Sequence, residues 1–481
     1  MRPGNSLPRY LTVFKYFVFI FAFLFPLYAL FRSLTPEFWP ALISAYTVYV
    51  VGQTLFYSVA ALTIITWLAI PLALLIHAKN TGFTRFLRLF FQITWVLPGF
   101  VFAFVTLVIL KILPVTELYS LHSVLLAWVL AGTPFVVTGL LVVLDDLDVR
   151  EREAMQSLGA HGFRLQQFYY FPKIANALSS VLFHQAWLLL TSFSVVVLLN
   201  GGPPHETLEV AIYTSVRMDH VDYNHATAFV FWQMLILAAL RFFLARKKTD
   251  FKISAEWRSY QNSKKIVPVN LFFHAALFIT VPLLLMLGHG DLFLALLTSF
   301  LLSTVVAFGT IVMALALYLG KSKWLAELSA WTSPMVLALA WWKIYGFRLP
   351  SLLLCIGIQI VLFTPWVSRV LYPLLDRTRV SELQAMQSLG ASPLQAWRVV
   401  EWPRLQKDFK VLAAWIFGLS MCEVSSVILF SHGDFEPLSV WVQNEFSRFH
   451  LDEALRGTLL LVFYSVFMIM WAKNEKSLRR V

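Results

Sequence analysis

The chain has 481 residues, 59% of them hydrophobic and only 13% charged, about half the roughly 25% charged content of a soluble domain. With a mean hydropathy of +0.72 it lacks the polar groups to cover a water-facing surface, which excludes a soluble globular protein. The net charge of +12 does not point to nucleic acid, because the lysines and arginines fall in short clusters between apolar runs, as the positive-inside rule requires of a membrane protein. The two cysteines, Cys355 and Cys422, lie inside apolar runs without CxxC spacing, which excludes a disulfide framework and a zinc site.

A membrane span needs about 20 apolar residues, since a helix rises 1.5 Å per residue and the hydrocarbon core is about 30 Å thick. The first candidate, 11–31, follows Arg2, Arg9 and Lys15; it is too long for the apolar core of a signal peptide and no small-residue cleavage site follows, so it reads as a retained helix. Further candidates are 53–77, 90–112, 121–144, 178–199 and 226–245, then 269–287, 292–319, 325–345, 352–374, 411–430 and 458–471. The expected fold is therefore all-α: a polytopic membrane protein of about twelve transmembrane helices. With the N-terminus inside, the inner segments carry Lys79, Arg85 and Arg88, the cluster Arg246 to Lys265, Lys321 and Lys323, and finally Lys473 to Arg480. The outer segments hold scattered cations such as Arg32, Arg217, Arg348, Arg448 and Arg456. This asymmetry predicts both termini in the cytoplasm.

The chain also repeats itself. Ala154-Met155-Gln156-Ser157-Leu158-Gly159-Ala160 recurs letter for letter from Ala385 to Ala391, an offset of 231 residues, and Pro172 matches Pro403 at the same offset. Leu208-Glu209-Val210 resembles Leu438-Ser439-Val440 after a one-residue adjustment. The expected organisation is two homologous six-helix halves in parallel orientation, 1–245 and 269–481, joined by a charged cytoplasmic linker at 246–268. Each copy falls in a long cytoplasmic loop, 145–177 or 375–410. Glu151 and Glu153 favour a helix start, Met155 and Leu158 share a helix face, and Gly159 and Gly390 allow the positive φ that ends a helix sharply. A second short helix is expected to run to Pro172 or Pro403. The product is a helix-turn-helix with an apolar knob, a docking element for a cytoplasmic partner.

At these residues the chain resembles the permeases of bacterial ABC importers, whose signature is Glu-Ala-Ala, three residues, Gly. Glu153, Ala154, Met155, Leu158 and Gly159 carry the first copy, and Gln384, Ala385, Met386, Leu389 and Gly390 the second. The chain departs from the signature in having Met for the third residue and Gln384 for the acid, so the salt-bridging role of Glu153 has no counterpart in the second half. The resemblance implies that both loops seat in two separate ATPase subunits and that a periplasmic substrate-binding protein docks on the outer loops. It implies alternating access between the halves, in a bacterial inner membrane. The fused form is similar to iron(III), putrescine-like and thiamine permeases. Likeness to the thiamine permeases rests on Leu199-Asn200-Gly201-Gly202-Pro203, Thr207 to Tyr213, Val427 to Phe430, Asp434-Phe435 and Pro437-Leu438. Import of thiamine or its phosphates is thus the expected function, with iron(III) import as the alternative within the family.

Glu423 stands inside an apolar run, where an acid costs about 2.5–3.5 kcal/mol on insertion scales. Thiamine is a cation, and a carboxylate in its pathway complements it; a purely structural hydrogen bond is the equal alternative. Ser192 and Ser194, in the matching span of the first half, either line the same cavity or mediate helix packing. Trp187, Trp341 and Trp342 read as interface anchors and His184 as a hydrogen-bonded core residue. Gly320-Lys321-Ser322 is not a phosphate loop, because Leu315 stands where a glycine is needed. No constellation of catalytic, metal-binding or cofactor-binding residues is expected in this chain. The contrasting class, an ion-coupled secondary transporter, needs several intramembrane ionisable groups and leaves the paired loops without a purpose.

Overall fold

The computed structural model describes residues 17–32, 35–246 and 290–474, apart from 79–80, 95–96, 114–117, 146, 148, 201, 218–221, 321, 347, 432–434 and most of 377–401. Every regular element among the described residues is helical. The protein is an all-α polytopic membrane protein. The described residues within 34–262 form one compact unit, and those within 1–33 and 263–481 form another. The expected span 269–287 and the linker 246–268 lie almost wholly outside the described residues.

In the first unit, α2 (Ala45–Ala78) is 34 residues of nearly uninterrupted apolar sequence. Its buried positions run from Thr47 to Ile76 and include Val50, Thr54, Ser58, Ala61, Ile65, Ala69 and Ala73, a mostly small-residue stripe at helical spacing. Lipid gives no hydrophobic reason for two helices to associate, so close approach along small residues takes its place. α2 packs chiefly on α5 (Leu121–Asp145). There Gly132 allows the contact: a Cβ on it would lie 2.4 Å from Ile65 Cδ1 and 2.5 Å from Gln185 Nε2. Further helices of this unit include α3 (Gly82–Thr94), α4 (Gly99–Ile112), α6 (Val149–Ser157), α7 (Phe171–Leu190), α8 (Ser194–Asn200), α9 (Leu208–Arg217) and α10 (Tyr223–Arg246).

In the other unit the same logic recurs. α11 (Gly290–Leu319) packs on α13 (Ser351–Asp376), where a Cβ on Gly309 would meet Ile360 Cδ1 at 2.5 Å. Between them in sequence comes α12 (Pro334–Tyr345); α14 (Trp402–Cys422), α15 (Leu438–Ser447) and α16 (Leu451–Asn474) complete the unit. The N-terminal span, a π-helical stretch at Val18–Leu24 followed by α1 (Phe25–Arg32), packs on α12 of this unit although it precedes the other one in sequence. Trp341 Nε1 donates to the Ala22 carbonyl at 3.0 Å and Tyr345 Oη to the Phe21 carbonyl at 3.2 Å. Side-chain donors thus reach carbonyls of the π-helical stretch, which gives Trp341 a binding partner inside the protein.

Five described helices are long and apolar enough to cross a membrane, and a bent pair, Leu178–Leu190 with Ser194–Asn200 at 52°, makes a sixth if counted as one span. Besides this bent run, 178–199, three more of the runs expected as single spans are broken. The run 90–112 divides before Pro98, which precedes α4 as its N-cap. The run 325–345 divides into a 3-10 helix, Leu325–Trp331, and α12, whose start is fixed by Pro334 and by Ser333 Oγ accepting the Val336 N–H at 3.2 Å. The run 411–430 ends as a helix at Cys422 and continues as turns. Proline supplies no donor and suits a first helical turn, so it restarts a helix where a continuous one was expected. The breaks correspond: the third and fifth expected spans are the broken ones in both units.

Candidate functional site

The repeated loop of the first unit begins where α5 ends at Asp145. Arg88 donates to the Asp145 carboxylate at 2.7 and 3.2 Å, and His77 Nδ1 lies 3.3 Å from it. α6 then opens with Glu151 in its first turn. It closes by two backbone bonds: Gly159 N–H to the Gln156 carbonyl and Ala160 N–H to the Met155 carbonyl, each 3.0 Å. That pair defines a Schellman motif, whose left-handed residue is Gly159 at φ +86°. The termination puts Leu158 on the outside, 84% exposed. Glu153 and Ala154 beside it are exposed and Met155 is half-buried. Glu151 is held back to the protein by an ion pair with Lys173, which also lies over the Tyr169 ring. The expected second short helix does not stop at Pro172. It runs through a π-helical stretch, Gln166–Tyr170, into α7, where the proline takes an early position that needs no donor.

Of the second copy, Gln384, Ala385 and Leu389 lie outside the described residues. Met386 is helical and half-buried, and Gly390 is exposed with φ +82°, close to the value at Gly159. The preceding helix also ends on an anchored acid: Asp376, 231 residues after Asp145, accepts from Lys323 at 2.9 Å and Tyr318 at 2.8 Å. Sequence reading passed over these two acids, although their offset matched that of the repeat.

The broken fifth spans hold the remaining candidates. Ser192 Oγ accepts from Trp128 Nε1 at 3.0 Å, which ties the bend between α7 and α8 to α5. Ser194 begins α8, and a Cβ on Gly99 would lie 3.2 Å from its Oγ. Both serines are half-buried and engaged in helix contacts. Glu423, at the position equivalent to Ser192, is also half-buried. Its Oε1 accepts the Ser426 N–H at 3.1 Å, and its carbonyl accepts from Ser439 Oγ on α15 at 2.8 Å. His184 is a core residue, with Nδ1 2.8 Å from the Ser180 carbonyl.

The helices beyond these breaks are set by corresponding contacts in each unit. The N–H of Leu208, which opens α9, donates to Thr54 Oγ1 at 3.0 Å; the N–H of Leu438, which opens α15, donates to Ser299 Oγ at 2.7 Å. Glu206 accepts from Thr214 at 3.0 Å and from Tyr46, and Glu436 accepts from Asn444 at 2.5 Å. Burial pushes the Glu206 carboxyl upward against the hydrogen bonds from Tyr46 and Thr214, which pull it down, and burial prevails. Among the described residues no three His, Cys, Asp or Glu side chains converge as a metal site.

Comparable sequences occur among known proteins. The chain is 24% identical over 401 residues to the thiamine transport system permease protein of Brucella suis, covering 76% of this chain and 73% of that one. It is 24% identical over 387 residues to that of Escherichia coli, covering 72% and 71%, and 23% identical over 394 residues to that of Haemophilus influenzae. The chain resembles an ABC permease of the thiamine-permease type. No family model matches it. The residues with positive φ and the anchored acids are what the resemblance leaves to be explained physically.

Proposed function

We propose that this chain is the translocation subunit of an ATP-driven, binding-protein-dependent importer whose cargo is thiamine or its phosphates. The observation that carries the reading is the duplicated loop. A seven-residue string repeats unchanged, and its first copy is closed by a Schellman turn that leaves Leu158 84% exposed. An exposed leucine on a short helix, anchored at its base by Asp145 and Glu151, fits an apolar groove on a partner. Two copies in one chain fit two partner subunits. Those partners are ATPases, which supply the hydrolysis that this chain has no phosphate loop to perform.

The duplicated halves, 1–245 and 269–481, then move against each other as the ATPases close and open. Both coupling loops, 145–177 and 375–410, act through the helices that end at Asp145 and Asp376. On this reading the chain lies in a bacterial inner membrane with both termini inside, and a periplasmic binding protein delivers the cargo. Thiamine is favoured over iron(III) by the likeness to thiamine permeases along most of the chain. Glu423, and Ser192 and Ser194 opposite it in the repeat, are proposed to border the pathway, with Glu423 complementing the cation. ATPase stimulation in lipid nanodiscs tests the reading: thiamine-loaded binding protein is expected to raise hydrolysis by the complex of this chain with its ATPase subunits. Stimulation by ferric-loaded binding protein alone would reassign the cargo.

A further inference from the structure

The turn joining α15 to α16 repeats the Schellman geometry of the coupling loop with a residue that does not suit it. Phe449 N–H donates to the Phe446 carbonyl and His450 N–H to the Glu445 carbonyl, each at 2.9 Å. The left-handed position that glycine fills at 159 is filled here by Phe449, at φ +64°. Among the described residues it is the one non-glycine residue with positive φ. Glycine or asparagine takes this conformation readily; an aromatic residue does so under strain. Nor does burial of the ring offset that strain, because Phe449 is 70% exposed.

The turn is held from both sides by one acid. The Glu445 side chain, 10% exposed, accepts from Arg448 Nη1 at 2.7 Å and lies 2.7 Å from His450 Nδ1. Arg448 and His450 nonetheless remain 64% and 60% exposed. A rigid turn therefore presents an aromatic ring between an arginine and an imidazole. The first repeat has a comparable string, Arg217-Met218-Asp219-His220-Val221-Asp222 against Arg448-Phe449-His450-Leu451-Asp452, with Asp219 as the extra residue. Residues 218–221 lie outside the described residues.

We infer that the Arg448-Phe449-His450 turn is a docking knob for a soluble protein that offers an apolar socket rimmed by carboxylates. This rests on the importer reading, in which the turn is on the outer side and the partner is the substrate-delivering protein. Aromatic residues and arginines are the side chains that dominate binding at protein interfaces. A conformation fixed before binding reduces the ordering cost of association. A ring that merely anchors the chain in lipid headgroups needs no fixed backbone, so the held turn favours a protein socket over the membrane.

The test is a titration of the complex in nanodiscs with its thiamine-loaded solute-binding protein, following stimulated ATPase activity. Phe449→Gly keeps the turn, relieves its strain and removes the ring. It is expected to raise the half-saturating concentration of binding protein about tenfold, while basal hydrolysis and the unfolding midpoint do not fall. Phe449→Tyr is expected to stay within about twofold of the unmodified complex, and Arg448→Glu to weaken docking about tenfold, less so at high salt. An unchanged half-saturating concentration in Phe449→Gly overturns the inference. So does a Phe449→Gly defect that appears as altered membrane retention with docking intact, which makes the ring a lipid anchor. If the unmodified, ATPase-active complex is not stimulated by a solute-binding protein, the importer reading falls and the knob loses its partner; stimulation that survives Phe449→Gly overturns the knob alone.

Discussion

Two substitutions at Glu423 separate a cap from a charge. Its Oε1 accepts the Ser426 N–H at 3.1 Å where α14 gives way to turns. Gln keeps an acceptor oxygen at the same reach, and Ala keeps none. Loss of such a cap costs about 1 kcal/mol, and an N–H left unsatisfied away from water costs about 1–3 kcal/mol. Glu423→Ala is therefore expected to destabilise the protein by about 2 kcal/mol, and Glu423→Gln by less than about 0.5 kcal/mol, on these same considerations. Thermal unfolding in detergent, followed by tryptophan fluorescence, measures the difference. The charge is read separately: thiamine uptake by the folded Glu423→Gln variant is expected to fall about tenfold, the equivalent of about 1.4 kcal/mol. Equal destabilisation by Gln and Ala refutes the cap, and unchanged thiamine uptake in the Gln variant refutes the electrostatic role.

Three further outcomes follow from other parts of the structure. Burying a leucine side chain contributes about 1.5–3 kcal/mol, so Leu158→Asp is expected to weaken co-purification of ATPase subunits at least tenfold; wild-type recovery contradicts docking through that residue. Gly132→Leu drives new atoms toward Ile65 and Gln185 and is expected to lower the folded yield sharply, whereas Gly52→Ala, with nothing within 4 Å of a Cβ, is expected to be neutral. Equal yields for the two refute the close α2–α5 contact. The raised Glu206 carboxyl binds a proton more readily folded than unfolded, so stability grows as pH falls from that raised value toward the ordinary value of about 4.3. Unfolding midpoints of the unmodified chain are expected to rise relative to Glu206→Gln on acidification through this window, and a flat difference contradicts it.

Much of this architecture is legible in the residues, and its breaks are not. Uniform apolar runs such as Ala45–Ala78 and Gly290–Leu319 announce spans by length alone. Hydropathy averages over a window, however, and cannot see that Pro98, Ser333-Pro334 and Glu423 interrupt the helix inside runs that stay apolar on both sides. The glycine turn at Gly159 was readable because a sharp helix end after an exposed apolar face calls for positive φ. Its counterpart at Phe449 was hidden, since nothing in a phenylalanine signals a left-handed backbone. Asp145 and Asp376 were readable from the repeat, yet their partners His77, Arg88, Tyr318 and Lys323 come from other helices and emerge only through packing. The same holds for the N-terminal span, whose place beside α12 depends on contacts with residues more than 300 positions away, as in the Trp341 bond to Ala22.

Thiamine accumulation in proteoliposomes tests the central claim most directly, using the purified chain reconstituted with its ATPase subunits and its solute-binding protein. The expected result is saturable thiamine uptake that requires hydrolysable ATP and the binding protein together, that is lost with Leu158→Asp, and that persists when ion gradients are collapsed. Thiamine or another solute moving through this chain without ATPase subunits, driven by an imposed ion gradient, would contradict the account.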